Sequence, residues 1–236
     1  MADFKRIVIL TGAGISAESG IDTFRAAGGL WEQHRIDDVA TPEGFARNPD
    51  LVLSFYDKRR AALASASPNP AHVALARLER EFAGELLLVT QNVDDLHERG
   101  GSFRVLHMHG ELQSALCTSC EVRTRWHDTM RNRPPCPVCQ ARSLRPDIVW
   151  FGEMPYEMGR IYSALESCDL FVSIGTSGAV YPAAGFVQEA RAAGAYTLDL
   201  NLEPSEGSRL FDESRLGPAS LLVPAWVDDV LSCAEA

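Results

Sequence analysis

The run Arg6-Ile7-Val8-Ile9-Leu10-Thr11-Gly12-Ala13-Gly14-Ile15-Ser16-Ala17 decides how the chain is read. Residues 6–10 form a short, nearly unbroken apolar stretch, the pattern of a strand buried on both faces. Gly12 and Gly14 follow, and a helix is expected to start at Ser16. Glycines at such a turn let the backbone approach a pyrophosphate, whose charge is met by N–H groups at the helix start. Gly12-x-Gly14-x-x-Ala17 fits the loose dinucleotide fingerprint, with alanine in the last place. Many strand-to-helix turns carry glycines, so this match needs support from the rest of the chain.

Working outward, residues 86–89, 105–108, 170–174 and 197–200 read as further strands. Residues 183–193 read as a helix closed by Gly194. Alternating strands and helices predict an α/β fold: a Rossmann-like parallel sheet with helices on both faces. Two stretches break the rhythm. Residues 28–82 lack strand signals and read as a helical insert, with helices over 50–64 and 71–82 separated by Pro68 and Pro70. Residues 114–144 carry two cysteine pairs and too little apolar content for a core of their own. The expected division is a Rossmann-like, dinucleotide-binding body (1–27, 83–113 and 145–236), the helical insert (28–82) and a cysteine-bearing module (114–144), all in one unit.

Cys117-x2-Cys120 and Cys136-x2-Cys139 each place two thiolates on one turn. Together they make a closed four-sulfur site for one zinc, structural because no ligand position stays open. Cys168 and Cys233 fall outside that set. Paired metal-binding thiols fit a reducing cytoplasm. No run of about 18 apolar residues predicts a membrane span, and the N-terminus does not have the form of a secretion signal. The charge of 22 minus 32, or −10, disfavours a nucleic-acid backbone as partner.

Polar groups recur where the strands end: Gln91-Asn92-Val93-Asp94, Gly175-Thr176-Ser177 and Asn201-Leu202-Glu203. Ligands of open parallel sheets bind at these ends, and so many polar ends suggest a large ligand with phosphates and ribose hydroxyls. A hydride-transferring dehydrogenase would add an acidic residue after a second strand, about 20 positions on. Here that region reads Gly28-Gly29-Leu30-Trp31, which counts against hydride transfer. Among six histidines, His109 directly precedes a glycine at a strand end, and a near-neutral base suits work at pH 7. His107 alternates with it on the same strand, so the residues alone do not separate the two. His97 reads as structural, and His34, His72 and His127 as surface or packing residues.

The run from Gly12 through Ser19-Gly20-Ile21 to Thr23-Phe24-Arg25 resembles the sirtuin signature. So do Thr90-Gln91-Asn92-Val93-Asp94-Asp95-Leu96-His97, His109-Gly110, Val149-Trp150-Phe151-Gly152-Glu153 and Gly175-Thr176-Ser177. The motifs run in family order along nearly the whole chain; Asp22 stands where the family often has proline. The resemblance implies an enzyme that consumes NAD to remove acyl groups from protein lysines, releasing nicotinamide and O-acyl-ADP-ribose. It assigns catalysis to His109, with Asn92 and Asp94. It puts Gly12, Ala13, Gly14, Thr23, Phe24, Arg25, Trp31, Gln91, Asn92, Asp94, Gly175, Thr176, Ser177, Asn201, Leu202, Glu203 and Ala219 around NAD. Val149 and Phe151 would line the acyl-lysine tunnel. Acyl-lysine proteins are the implied partners, and a monomer is expected.

Tyr56 and Arg59 stand i and i+3 apart and share a helix face. A phenol and a guanidinium fork together suit a carboxylate. Lys58 and Arg60 flank them, so a solvated basic face accounts for the same residues. The segment resembles the tyrosine–arginine pair of desuccinylase-type sirtuins, bacterial CobB-like enzymes among them. That implies succinyl- and malonyl-lysine as substrates beside acetyl-lysine. The other readings are an NAD-dependent oxidoreductase, a non-catalytic NAD-binding protein and an ADP-ribosyl transferase.

Overall fold

The computed structural model describes residues 4–21 and 34–233. Six parallel strands form the main sheet: β1 (Arg6–Thr11), β2 (Glu85–Thr90), β3 (Val105–His107), β7 (Leu170–Ile174), β8 (Tyr196–Asn201) and β9 (Glu213–Leu216), in the order β3-β2-β1-β7-β8-β9. The chain builds outward from β1 on one side and later returns to build outward on the other. The strand order therefore reverses between β1 and β7, and a crevice opens there at the carboxyl ends.

Helices cover both faces, as expected. Ile7 and Ile9 point into a core shared with α5 (Pro70–Glu81) and α9 (Ala219–Cys233). Val8 and Leu10 point the other way, toward α7 (Met158–Leu165) and α8 (Phe186–Ala192). All four are at most 3% exposed, which is why β1 reads as a continuous apolar run rather than an alternating one. Two expectations need correction. The helical turn after β1 is α1 (Ala13–Ser16), so it starts directly after Gly12 and not at Ser16. The strand β9 was missed, because Glu213-Ser214-Arg215-Leu216 forms a polar, half-exposed edge with no apolar run.

The insert opens each of its longer helices with a side-chain cap followed by proline. Thr41 precedes α3 (Pro42–Arg47), Asn48 precedes α4 (Pro49–Ala62) and Asn69 precedes α5. Each cap oxygen accepts a first-turn N–H that has no partner within its helix, and proline fits the first helical position. The short helix α2 (Ile36–Val39) completes this part. Beside it, β4 (Gly110–Cys117), β5 (Arg123–Arg125) and β6 (Leu144–Ile148) form an antiparallel sheet in the order β5-β4-β6. This small sheet extends beyond residues 114–144 at both ends. The Asp57 carboxylate fastens α4 to it, accepting from the Met130 and Arg131 amides, the Thr129 hydroxyl and Arg60. Among the described residues no helix is long and apolar enough to cross a membrane.

Candidate active site

A cavity of about 660 Å³ occupies the crevice between β1 and β7 and runs on toward α4 and the segment after β6. Gly12, Ala13 and Gly14 line it, as do Gln91 and Asn92 after β2, Gly175, Thr176 and Ser177 after β7, and Asn201, Leu202 and Glu203 after β8. At the other end stand Tyr56, Arg59, His109, Val149, Trp150 and Phe151. Asp94 and Ala219 are not among the lining residues. Thr23, Phe24, Arg25 and Trp31 lie outside the described residues.

The glycine loop does something the sequence did not reveal. The Gly12 N–H donates to the Ile174 carbonyl (3.0 Å) and the Gly14 N–H to the Gly175 carbonyl (2.8 Å). A Cβ on Gly14 would meet Gly175 backbone at 2.7 Å, and one on Gly175, whose φ is +62°, would meet the Ile15 nitrogen at 2.4 Å. These glycines are needed first so that two loops can cross, and two of the N–H groups expected to face phosphate serve that crossing instead. Asn201 adds to it, donating to the Thr176 carbonyl at 3.0 Å and to Asp199 at 2.9 Å.

The structure separates the two histidines. β3 ends at His107, so His109 is not on the strand but in the turn before β4. Gly110 closes that turn at φ +81°, where a Cβ would lie 2.0 Å from the Asp147 carbonyl oxygen. His109 Nδ1 is 3.1 Å from the Gln91 carbonyl. A carbonyl only accepts, so Nδ1 carries the proton and Nε2 is left as the basic atom. Burial pulls the His109 pKa below its ordinary value, with the Gln91 carbonyl partly opposing. His107 contacts the Asn92 carbonyl through Nδ1 (3.2 Å) and Glu98 through Nε2 (2.8 Å). Both partners accept, so the ring must hold two protons to satisfy them. Burial disfavours that charge, yet Glu98 outweighs it and the pKa rises.

Behind the lining runs a polar network that sequence reasoning missed. The Ser16 hydroxyl donates to Asp94 Oδ2 (3.2 Å) and accepts from Asn92 Nδ2 (3.1 Å). Asp94 Oδ1 also accepts from the Leu96 amide at 3.1 Å, and burial raises its pKa. Asn69 reaches from its helix cap to donate to the Ile15 carbonyl (2.7 Å) and to Ser19 (3.0 Å). His72 Nδ1 accepts from the Asn69 backbone N–H (3.3 Å) and its Nε2 lies 3.4 Å from the Ser16 hydroxyl; it is fully buried, as is His97 of α6 (Leu96–Arg99), which lies 2.9 Å from Thr11 Oγ1. Both rings are buried hydrogen-bonding partners behind the cavity, and burial lowers both pKa values. The one signal available was Asn69-Pro70 followed two residues later by His72, a capping pattern.

At the other end, Tyr56 is 2% exposed and burial raises its pKa to about 12, so the phenol keeps its proton. Arg59 is half-buried, its guanidinium 5.9 Å from the Tyr56 ring centre, and burial lowers its pKa. The flanking charges do not form one basic face. Lys58 is exposed, whereas Arg60 turns inward to Asp57 at 2.7 Å and to the Leu112 carbonyl at 2.7 Å. Gly152 and Glu153 shape the turn after β6: Gly152 has φ +91°, and Glu153 binds Arg145 and the Trp150 amide.

The four cysteine sulfurs lie within 4.8 Å of one another. Cys117 Sγ is 3.5 Å from Cys139 Sγ, and Cys120 Sγ is 3.8 Å from Cys136 Sγ. Sulfurs about 2.3 Å from a tetrahedral zinc are about 3.8 Å apart, so the donor set fits that metal. The two turns match: the Cys117 amide donates to the Val122 carbonyl and the Cys136 amide to the Ala141 carbonyl. Elemental analysis should find about one zinc per chain, and Cys117→Ser should lose both metal and thermal stability. A metal-free chain that melts like the native protein would contradict this.

Comparison with known proteins agrees with this arrangement. The Sir2 family pattern matches residues 12–182. The chain is 57% identical to an NAD-dependent protein deacylase of Vibrio cholerae over 232 residues, covering 97% of this chain and 94% of that one. It superposes on a Sir2 homologue solved as its NAD complex with a TM-score of 0.89 at 38% identity, covering 98% of this chain and 91% of that one. A Sir2 protein bound to a myristoylated histone peptide matches with a TM-score of 0.76 at 32% identity, covering 98% and 93% of the two chains. Fold, strand-end loops and four-cysteine cluster agree with the sequence match, and this chain belongs to the Sir2 family.

Proposed function

We propose that this chain is an NAD-consuming protein lysine deacylase acting on succinyl- and malonyl-lysine as well as acetyl-lysine. The observation that carries it is a single cavity with His109 between the glycine loops on one side and Tyr56 with Arg59 on the other. NAD would lie across the crossing of the Gly12 and Gly175 loops, with Thr176, Ser177, Asn201, Leu202 and Glu203 toward its adenosine end. Ala13, Gln91 and Asn92 would surround the nicotinamide ribose. Asp94, and Ser16 with it, would act from behind by fixing Asn92. Thr23, Phe24, Arg25 and Trp31 are assigned to NAD on sequence alone, as is Ala219.

Acyl-lysine would enter along Val149 and Phe151, with its acyl oxygen toward the ribose. His109 takes a ribose hydroxyl proton at Nε2, while Nδ1 stays bonded to the Gln91 carbonyl and fixes the ring. Tyr56 and Arg59 hold the acid end of a dicarboxylic acyl chain through charge-assisted hydrogen bonds. Zinc held by Cys117, Cys120, Cys136 and Cys139 would staple the small sheet and take no part in the reaction. The test is mass spectrometry of succinyl-, malonyl- and acetyl-lysine peptides incubated with and without NAD. The expected result is NAD-dependent deacylation of all three, with nicotinamide released and no NADH absorbance. NADH formation would point to an oxidoreductase, and label from NAD on protein to ADP-ribosyl transfer.

A further inference from the structure

We infer that Trp150 is a positioning residue for acyl selectivity, its indole N–H committing the Tyr56 hydroxyl to donate toward the acid end of the acyl chain. The inference rests on the carboxylate-clamp reading of Tyr56 and Arg59. An indole nitrogen only donates, whereas a phenol oxygen donates one proton and also accepts. Trp150 Nε1 lies 3.0 Å from the Tyr56 oxygen, in buried surroundings. The oxygen therefore accepts from the indole, and its own proton is turned away from Trp150. Tyr56 lines the cavity together with Arg59, so that proton is available to a ligand carboxylate.

Without the indole the hydroxyl is a free rotor, which a ligand carboxylate must itself orient. The indole holds the phenol in the donating orientation before the ligand arrives, which removes that cost. An acyl chain without a terminal acid gains nothing from this.

The indole is itself held in place. Trp150 is 2% exposed, and the Arg145 guanidinium stacks 3.8 Å from its ring centre. Arg145 donates to both Glu153 oxygens, at 2.7 and 2.8 Å, and to the Ile148 carbonyl at 2.8 Å. Glu153 also accepts the Trp150 backbone N–H at 2.8 Å. One half-buried ion pair thus fixes the main chain and the ring of the residue that orients the phenol.

The test compares Trp150→Phe with the native chain on peptides of one sequence carrying succinyl- or acetyl-lysine. Freeing a hydroxyl rotor that the ligand must then orient should lower the succinyl-to-acetyl ratio of kcat/KM about two- to threefold. The change should fall on KM for the succinyl peptide rather than on kcat. The benzothienyl analogue of tryptophan, placed at position 150, keeps the ring shape and removes only the N–H. It should reproduce the shift even where the phenylalanine variant packs poorly. In a Tyr56→Phe background neither change should lower the ratio further. A full additional loss in that background, or an unchanged ratio with the analogue while Arg59→Met lowers it, overturns the role of the indole. If Arg59→Met leaves the ratio unchanged, the clamp reading falls first.

Discussion

Replacing His109 by alanine is expected to lower deacylation by roughly 10²- to 10⁴-fold, the range for loss of a general base, while the chain stays folded. The ring contributes one hydrogen bond, to the Gln91 carbonyl, and otherwise faces the cavity, so its loss should cost the fold little. The pH profile gives a second handle. As the proposed base His109 would work in its neutral form, and burial lowers its pKa. Activity on this limb should be complete at neutral pH and fall only as the pH drops through a midpoint below about 6.5. A midpoint above that value would implicate His107, whose pKa is raised. The assignment is wrong if His107→Ala is inactive while His109→Ala turns over normally.

Replacing Arg59 by methionine is expected to lower kcat/KM for succinyl-lysine by about 30-fold or more, and far more than for acetyl-lysine. Truncating one partner of a desolvated charge pair costs at least ~2 kcal/mol. Burial already lowers the Arg59 pKa, so the guanidinium gains when a substrate carboxylate arrives. Methionine keeps much of the side-chain length and removes the charge, which isolates the electrostatic part. Paired kinetics on succinyl and acetyl peptides, with thermal midpoints recorded alongside, provide the measurement. Equal losses on both substrates would defeat the clamp.

Much of this was legible in the sequence, for physical reasons. A strand buried on both faces must read as an apolar run, so Ile7 to Leu10 and Leu170 to Ile174 stood out. Four cysteines in two tight pairs have few other uses. β9 was hidden because an exposed edge strand needs no apolar residues. The network of Asn69, Ser16, Asn92 and Asp94 was hidden because its bonds join residues up to 78 positions apart. Gly12 and Gly14 were noticed for the right region and for an incomplete reason: their closest neighbour is Gly175. The inward turn of Arg60 shows the limit of reading charge runs. Adjacent arginines on one helix, about 100° apart, line different cavities.

That division of α4 bears on how selectivity could be altered. Asp57 and Arg60 secure the helix against the small sheet and the segment between its strands, while Tyr56 and Arg59, one position earlier in each case, line the cavity. The two pairs share about a turn and a half of helix and line different cavities. On the proposed clamp reading, positions 56 and 59 could be exchanged to suit another acyl chain, with Trp150 matched to the new residue 56 and with 57 and 60 left as the mount.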